Sequence, residues 1–244
     1  MSKARTLSLT GARAVYSPPR HAGRTAPRDE SAKQHIEREL VCRYDYRLPT
    51  GVLFFQKERY RILNPAPGGR TKTFGYFRNV WDTEERYRKP EGADGILYNL
   101  PAVLGAVLSG EPIHWVEGEK DADALIKLGH VATTVHQGAN KVTAGQAAWL
   151  RGASEVYIWI DKDKACPEVG AHDAAMRHYR LIEIGCDAPI TFLKAAGGWD
   201  LKDAADHIEA GHAPEDAVVV SRSKLAATAA RYVPSMNGRL GYDR

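Results

Sequence analysis

Short apolar runs alternate with amphipathic segments through the second half of the chain. Four runs of four to six residues are rich in β-branched and aromatic side chains, as buried strands are, and they cover 113–116, 131–135, 155–160 and 189–193. The apolar spacing between and beside them predicts helices over 102–108, 120–128, 143–151, 171–185 and 201–210. Strands that alternate with helices indicate a parallel sheet covered by helices on both faces. We therefore predict an α/β domain over residues 96–212.

The preceding part of the chain has strand character. Apolar and aromatic runs are separated by a Leu48-Pro49-Thr50-Gly51 turn and by a loop rich in proline and glycine, and they cover 41–47, 52–63 and 71–80. This pattern predicts a small, mostly β domain with an antiparallel sheet over residues 35–95. The domain is expected to begin with a short helical lead-in at 35–40.

The two ends of the chain carry weaker patterns. Residues 1–34 are rich in Arg, Ser, Ala and Pro and have no sustained apolar period, which predicts a disordered basic arm. Residues 213–244 are predicted to form one helix at 222–231 and a flexible tail.

The net charge of +4 conceals an uneven distribution along the chain. Residues 56–89 hold nine Lys or Arg against four acids, whereas residues 90–244 hold fifteen basic and twenty-one acidic residues. A basic front section beside an acidic rear section is the charge pattern of a polyanion-binding face next to a metal site. Solvated surface charge without a partner is the alternative interpretation.

Composition disfavours several classes of protein. The sequence has no apolar stretch long enough for a membrane span and no apolar secretion segment near the N-terminus, so we expect a cytoplasmic protein without a membrane partner. Cys42, Cys166 and Cys186 are widely spaced, which predicts free thiols and no zinc ribbon. No G-x-x-x-x-G-K-[ST] motif is present, which excludes a P-loop helicase within this sequence.

Two of the predicted strands end in acidic residues. The first runs into Glu117-Gly118-Glu119-Lys120-Asp121, and the third runs into Asp161-Lys162-Asp163. Because the carboxyl ends of neighbouring strands form the ligand crevice of an open α/β sheet, these acids are expected to converge. A bound cation relieves the repulsion between them, and carboxylate oxygens without His or Cys suit Mg2+ or Mn2+. The sequence therefore predicts a Mg2+ (or Mn2+) site that handles phosphates.

These acids stand in a pattern that resembles the Toprim domain. The segment from Glu117 to Leu125 is similar to the E-G-x-x-D-x-x-A-L motif of bacterial-type primases, type IA and type II topoisomerases and small nucleases. Asp161-Lys162-Asp163 resembles the D-x-D motif, and Gly198-Trp199-Asp200-Leu201-Lys202-Asp203 resembles the G-x-D-x-x-D run that closes the domain in primases. The resemblance covers residues 98–210 and implies a Toprim (Rossmann-like) parallel sheet.

Further details look most like the Toprim primases of phages and mobile elements. Leu97-Tyr98-Asn99-Leu100-Pro101 precedes the first motif as an L-Y-x-L-P segment does there, and the Gly138-Ala139-Asn140-Lys141 loop is similar to the phage pattern. One feature departs from it: Cys166-Pro167-Glu168-Val169 precedes Gly170, whereas many relatives have a glycine soon after D-x-D. This departure predicts a longer loop.

The resemblance implies a role for each acid. Asp161 and Asp163 would be catalytic residues that hold the metal, with Asp200 adding a ligand through water. Glu117 would be a metal ligand or the general acid/base. Two metals in such a cluster support either synthesis or cleavage of a phosphodiester.

The remaining polar residues of the motifs have less specific expectations. Lys120 and Lys141 are candidates for phosphate and nucleotide contacts, with ordinary surface lysines as the alternative. The other acids are not expected to bind metal. Glu119 and Asp123 are predicted to be solvated helix residues, Asp121 to cap or buttress the first helix of the motif, and Asp203 to be a helix N-terminal acid.

Cationic and aromatic side chains interleave in the predicted small sheet. The candidates for nucleic-acid contacts there are Arg59, Arg61, Arg70, Lys72 and Arg78. Such cations can hold backbone phosphates while neighbouring rings stack on exposed bases. In the alternative interpretation, the aromatic rings pack beneath the sheet and the basic side chains face water.

Three hypotheses for the function follow. The first is a primase-type nucleotidyltransferase that uses Mg2+ and nucleoside triphosphates on a single-stranded DNA template in phage or mobile-element replication. The second is a Toprim nuclease that cleaves DNA or RNA at the same acids. The third is a non-catalytic nucleic-acid-binding subunit of a replication complex. A separate helicase or replication protein is the expected partner, and no cysteine-rich zinc module is present to find the template.

Overall fold

A computed structural model describes residues 36–78 and 87–232 of the chain. The first three strands form an antiparallel sheet in the order β1-β2-β3, with β1 at Arg38–Arg47, β2 at Leu53–Ile62 and β3 at Lys72–Phe77. The helical lead-in predicted for 35–40 is wrong, because Arg38 and Glu39 already pair with Ile62 and Arg61 of β2. The basic arm predicted at 1–34 lies outside the described residues, as does the tail beyond 232.

A five-stranded sheet forms the second layer. Its strands are β4 at Ile113–Trp115, β5 at Val131–Thr133, β6 at Val156–Trp159, β7 at Ile190–Lys194 and β8 at Val218–Val220. The order is β5-β4-β6-β7-β8; the first four strands are parallel, and β8 runs antiparallel to β7. From β4 the chain goes to β5 on one side and returns to β6 on the other. The carboxyl ends of β4 and β6 therefore flank the topological switch point, where ligands bind in such sheets.

Helices cover both faces of this sheet, which confirms the predicted fold class. They are α1 at Leu100–Ser109, α2 at Glu119–Lys127, α3 at Ala144–Ala147, α4 at Pro167–Glu183, α5 at Ala204–Glu209 and α6 at Arg222–Ala229. The longer loop predicted after Asp163 is wrong, because α4 begins at Pro167, whose fixed φ suits the first turn of a helix. No helix within the described ranges is both long and apolar enough to span a membrane.

Two apolar clusters hold the layers together. One side of the five-stranded sheet packs against α1, α4 and α6 through residues such as Val103, Ala174 and Leu225. The other side packs against α2 and α5 through Leu125 and Ala204. The three cysteines are free thiols, as predicted.

The antiparallel sheet shares the larger of these clusters. Tyr46 stacks on Phe55 with ring centroids 4.6 Å apart, and both rings are buried together with Leu100 and Trp115 of the α/β layer. Burial of large aromatic side chains contributes much of the stability of such a contact. The two sheets therefore have one continuous interior.

Candidate functional site

The carboxyl ends of β4 and β6 place Glu117 and Asp161 at the switch point. Gly118 follows Glu117 with extended backbone and precedes the first turn of α2. Gly170 lies in the first turns of α4, where an added Cβ would come within 2.3 Å of the Asp161 carbonyl oxygen. The glycine after the D-x-D motif therefore allows α4 to pack directly against the backbone that carries Asp161.

Four carboxylates influence one another electrostatically at this edge: Glu117, Asp121, Asp161 and Asp203, hereafter the acid cluster. Burial, reinforced by the charge of Asp173, raises the pKa of Glu117 to about 7. Burial and then the charge of Asp203 raise the pKa of Asp121 to about 8. Burial raises the pKa of Asp161 well above its usual range, with contributions from Glu117, Asp121 and Asp203. Burial and mutual repulsion therefore both oppose the ionisation of these three carboxylates.

Asp121 and Asp203 also have structural contacts. The Asp203 side chain caps α5 by accepting a hydrogen bond from the amide of Asp206 at 2.8 Å, as predicted for a helix N-terminal acid. Asp121 is buried and accepts a hydrogen bond from the Ala205 amide at 3.2 Å. These contacts join the first motif to the loop that follows β7.

A buried arginine lies directly beneath the acid cluster. Arg177 of α4 donates hydrogen bonds to the carbonyl oxygens of Trp115 and Trp159, the last residues of β4 and β6. Its guanidinium also forms an ion pair with Asp173 at 2.8 Å. Within the described ranges, no ion pair joins Glu117 or Asp161 to a lysine or arginine. Arg177 therefore fixes the strand ends and leaves these two carboxylates available.

Asp163 and Asp200 lie at the margin of this arrangement. One oxygen of Asp163 accepts a hydrogen bond from the Ala165 amide at 2.9 Å and closes the turn before α4. Asp200 is exposed, and its charge acts on the ammonium group of Lys162. The structure thus brings Glu117 and Asp161 together and leaves Asp163 and Asp200 beside them.

The two lysines predicted to contact phosphate have different surroundings. Lys120 forms ion pairs with Asp206 and Glu209 of α5, each at 3.3 Å. Lys141 is exposed at the end of the β5–α3 loop, in which the Asn140 amide donates a hydrogen bond to Asp173 at 2.6 Å. Lys120 therefore joins α2 to α5. Lys141 extends from a loop that is bonded to Asp173, whose charge acts on Glu117.

One face of the antiparallel sheet changes from aromatic to basic along its strands. Residues opposite each other in antiparallel strands share a face, and here the pairs are Tyr46 with Phe55, Tyr44 with Lys57, Arg59 with Phe74, and Arg61 with Lys72. The aromatic end packs against the α/β layer, as the packing interpretation predicted. The other end, Arg59, Arg61, Lys72 and Phe74, is hereafter the basic face.

The basic face lies within electrostatic reach of the acid cluster. Burial and the charges of Arg59 and Lys202 lower the pKa of Lys72, while Glu117 and Asp121 oppose this shift. Lys72 and Lys202 in turn oppose the rise in the pKa of Glu117. Cationic side chains therefore approach the acids from both the sheet and the loop after β7.

Three of the predicted basic candidates, Arg61, Arg70 and Arg78, have contacts within the protein. Arg61 pairs with Glu39 at 2.6 Å on an exposed part of the sheet. The Arg78 guanidinium lies 5.7 Å from the centre of the Phe54 ring. Arg70 is exposed in the loop between β2 and β3.

The prediction that Glu119 is solvated is wrong. Its side chain is 5% exposed and forms an ion pair at 2.7 Å with Lys57, which is 8% exposed. The Tyr46 hydroxyl donates a hydrogen bond to the same oxygen at 2.7 Å. Because Lys57 and Tyr46 belong to the antiparallel sheet, Glu119 joins that sheet to the first turn of α2. Asp123, also predicted to be solvated, is half-buried and accepts a hydrogen bond from the Tyr98 hydroxyl at 2.7 Å.

Sequence reasoning missed Arg177 and its partner Asp173. Both are buried on the inner side of α4, and they are four residues apart. An acid and an arginine at i and i+4 within the apolar stripe of an amphipathic helix are the signal that would have found them.

The donor chemistry of the acid cluster fits a hard divalent cation. Its side chains offer only carboxylate oxygens, and burial followed by mutual repulsion raises the pKa of Glu117, Asp121 and Asp161. In the part of the chain that the structure describes, no three or more His, Cys, Asp and Glu side chains are already arranged around a common metal position.

Fold and site together define an α/β domain with a carboxylate cluster at its switch point and an antiparallel sheet in front of it. No protein-family model and no curated protein sequence matches the chain. Solved structures do match it. The E. coli primase catalytic core is 16% identical with a TM-score of 0.51, and the match covers 76% of this chain and 53% of that one.

Two further structures give the same result. A DNA primase domain from Pseudomonas aeruginosa has a TM-score of 0.50 at 17% identity, over 71% of this chain and 48% of that one. A DnaG primase catalytic domain bound to single-stranded DNA has a TM-score of 0.50 at 16% identity, over 76% and 54%. The chain spans about half the length of these proteins. At these identities the likeness shows that the fold is that of primase catalytic cores.

Proposed function

We propose that this chain is a Toprim primase catalytic unit that joins nucleoside triphosphates on a single-stranded DNA template. One observation carries the proposal: on a fold like that of primase catalytic cores, a buried acid cluster lies within electrostatic reach of a basic face. The order of the motifs supports a role in the replication of a phage or mobile element. A separate helicase or replication protein would bring the unit to its template.

Glu117 and Asp161 would hold Mg2+ or Mn2+, with Asp163 and Asp200 completing the set from the margin. When bound, the cation supplies positive charge to the phosphate oxygens of the nucleotide and relieves the repulsion within the acid cluster. Arg177 keeps the ends of β4 and β6 together so that Glu117 and Asp161 remain adjacent. Glu117 would serve either as a metal ligand or as the general acid/base that accepts a proton from the attacking hydroxyl.

The basic face would hold the template strand. Arg59 and Lys72 lie on the side of the sheet that approaches the acid cluster, and Phe74, opposite Arg59 on β3, is 43% exposed. Phosphates of a single strand would contact the cations while a base stacks on the ring. One of the similar primase domains binds single-stranded DNA, which supports this assignment.

Incubation with single-stranded DNA, labelled nucleoside triphosphates and Mg2+ tests the proposal. New short oligomers are the expected product. Shortened template without new oligomers would indicate a nuclease acting at the same acids. Binding without either product would indicate a non-catalytic subunit, and both of these results would overturn the proposal.

Asp161→Asn is the variant that tests the site. It preserves the size of the side chain and removes its charge, so oligomer synthesis is expected to fall by about a thousandfold or more, since the cation loses a central ligand. Asp187→Asn, at an exposed position after α4, is the matched control and should retain full activity. Unchanged synthesis in Asp161→Asn would show that the site is assigned wrongly.

A further inference from the structure

Lys162, the middle residue of the D-x-D motif, directs its side chain into the loop that follows β7. Its ammonium group donates hydrogen bonds to the carbonyl oxygens of Ala195 at 3.0 Å, Gly197 at 3.3 Å and Gly198 at 2.7 Å. An ammonium group has three donors, and all three are used by backbone oxygens of this one loop. The Asp200 carboxylate acts on the same charge.

The backbone of Lys162 holds the same loop from its other end. The Lys162 amide donates a hydrogen bond to the Lys202 carbonyl oxygen at 2.8 Å. Gly197 adopts a φ of +78°, which permits the turn that brings the carbonyl oxygens together. Contacts from one residue therefore determine the path of the loop over residues 195–202.

This loop carries residues that belong to the site. Lys202 is one of the cations that act on Glu117 and Asp161, and Asp203 is a member of the acid cluster. The loop also ends in the cap of α5, which places the Ala205 amide against Asp121. Displacement of the loop would move a cation and an acid away from the reacting phosphates.

We infer that Lys162 is a positioning residue whose ammonium group acts as a tethered monovalent cation in a cage of backbone carbonyl oxygens. The inference deepens the proposed function and rests on it for the catalytic consequence. An ammonium group and K+ have similar size and both bind carbonyl oxygens. A variant that removes the lysine side chain therefore leaves a cage that K+ or NH4+ can enter, whereas tetramethylammonium is too large.

Hydrogen exchange in the full chain tests the loop without reference to activity. The amides of Ala196, Lys202, Ala205 and Asp206 each donate a hydrogen bond to a side chain around this loop. In Lys162→Ala these amides are expected to exchange about tenfold faster or more, since the loop is no longer held by hydrogen bonds from a charged group. K+ or NH4+ should restore slow exchange, and tetramethylammonium at the same concentration should not. Lys164→Ala, at an exposed lysine two residues along, is the matched control.

Oligomer synthesis provides the second measurement. Lys162→Ala should lose about tenfold in synthesis and recover with K+ but not with tetramethylammonium. Unchanged exchange in Lys162→Ala, or a change that no monovalent cation reverses, overturns the inference whatever the enzyme activity. The two proposals can also be separated. If Lys162→Ala shows faster exchange that K+ reverses, but the wild-type protein makes no oligomers, the role of Lys162 in the loop is supported and the proposed function is refuted.

Discussion

Asp121, in the first turn of α2, has two roles at the switch point. Asp121 was expected to cap or buttress the helix that carries it, α2; its side chain instead accepts a hydrogen bond from the Ala205 amide and so joins α2 to α5. It is also a buried carboxylate within the acid cluster. A residue can therefore support a helix and add to the charge of a site at the same time.

The raised pKa of Asp121, about 8, predicts how stability depends on pH. The folded protein binds this proton more tightly than the unfolded chain does, so the ionised carboxylate costs stability. That cost is absent below the unfolded pKa and grows as the pH rises to the folded value. Asp121→Asn, which retains an acceptor for the Ala205 amide, should gain stability relative to wild type as the pH rises from about 4 to about 8 in metal-free buffer.

Urea unfolding at a series of pH values measures this difference. The exposed Asp187→Asn serves as the control and should differ from wild type by the same small amount at each pH. If the free energies of unfolding of Asp121→Asn and wild type differ by a constant amount across that range, Asp121 is not a buried carboxylate with a raised pKa.

Gly170 gives a second prediction for a single residue. An added Cβ would lie 2.3 Å from the Asp161 carbonyl oxygen and 3.1 Å from its carbon, and both are backbone atoms that cannot turn aside. Gly170→Ala is expected to reduce the free energy of unfolding by about 1–3 kcal/mol. Gly105→Ala in α1 meets nothing within 4 Å and should increase it by about 0.5–1 kcal/mol. Denaturant unfolding of both variants compares them, and equal effects would contradict the packing of α4 against Asp161.

At the level of elements, the sequence predicted the α/β alternation well because its strands and helices have strong local periodicity. It missed β8, because Val218–Val220 is only three residues long and pairs antiparallel at the edge of the sheet. It assigned Glu119 to solvent because its partner Lys57 lies 62 residues earlier in the chain. Contacts to backbone carbonyl oxygens, such as those of Lys162, leave no trace in residue types at all. Local patterns therefore predict elements, whereas the pairing of distant polar groups requires the fold.

The buried ion pair between β2 and α2 gives a prediction at this level. Lys57→Met leaves the Glu119 carboxylate buried without its counter-ion, which is expected to cost about 3–5 kcal/mol. The double variant Lys57→Met/Glu119→Gln removes both charges and should be more stable than Lys57→Met alone. The exposed pair of Arg61 and Glu39 is the control, and Arg61→Ala should cost about 1 kcal/mol or less. If the double variant loses as much free energy of unfolding as Lys57→Met and Glu119→Gln lose together, the two side chains are not energetically coupled.

Across the whole molecule, charge is divided between the antiparallel sheet and the α/β layer. The basic face and Lys202 approach the acid cluster from two sides. In the proposed function, this arrangement would bring the phosphates of a nucleic acid close to the carboxylates. Binding by such a surface is controlled by the ions that it releases from the nucleic acid.

Salt dependence tests this arrangement. The affinity of wild type for a labelled single-stranded oligonucleotide should fall steeply as salt rises, as measured by fluorescence anisotropy. Lys72→Ala and Arg59→Ala should each reduce the slope of log affinity against log salt by about 0.7, because each variant neutralises one phosphate fewer. Lys127→Ala, at an exposed position at the end of α2, should leave the slope unchanged. Equal slopes in all variants would remove the basic face from the nucleic-acid interface.

The interior shared by the two sheets has a consequence for how such proteins can be recombined. Tyr46 and Phe55 pack into the interior of the α/β layer, and Lys57 balances the charge of Glu119 there. The antiparallel sheet therefore cannot be exchanged as an independent module. If this sheet alone were exchanged for an unrelated one, Glu119 would lose its bonds to Lys57 and Tyr46, and we expect the hybrid protein to fold poorly. A graft is therefore expected to fold only if the donor sheet supplies a counter-ion for Glu119 and apolar side chains that fit the interior of the α/β layer.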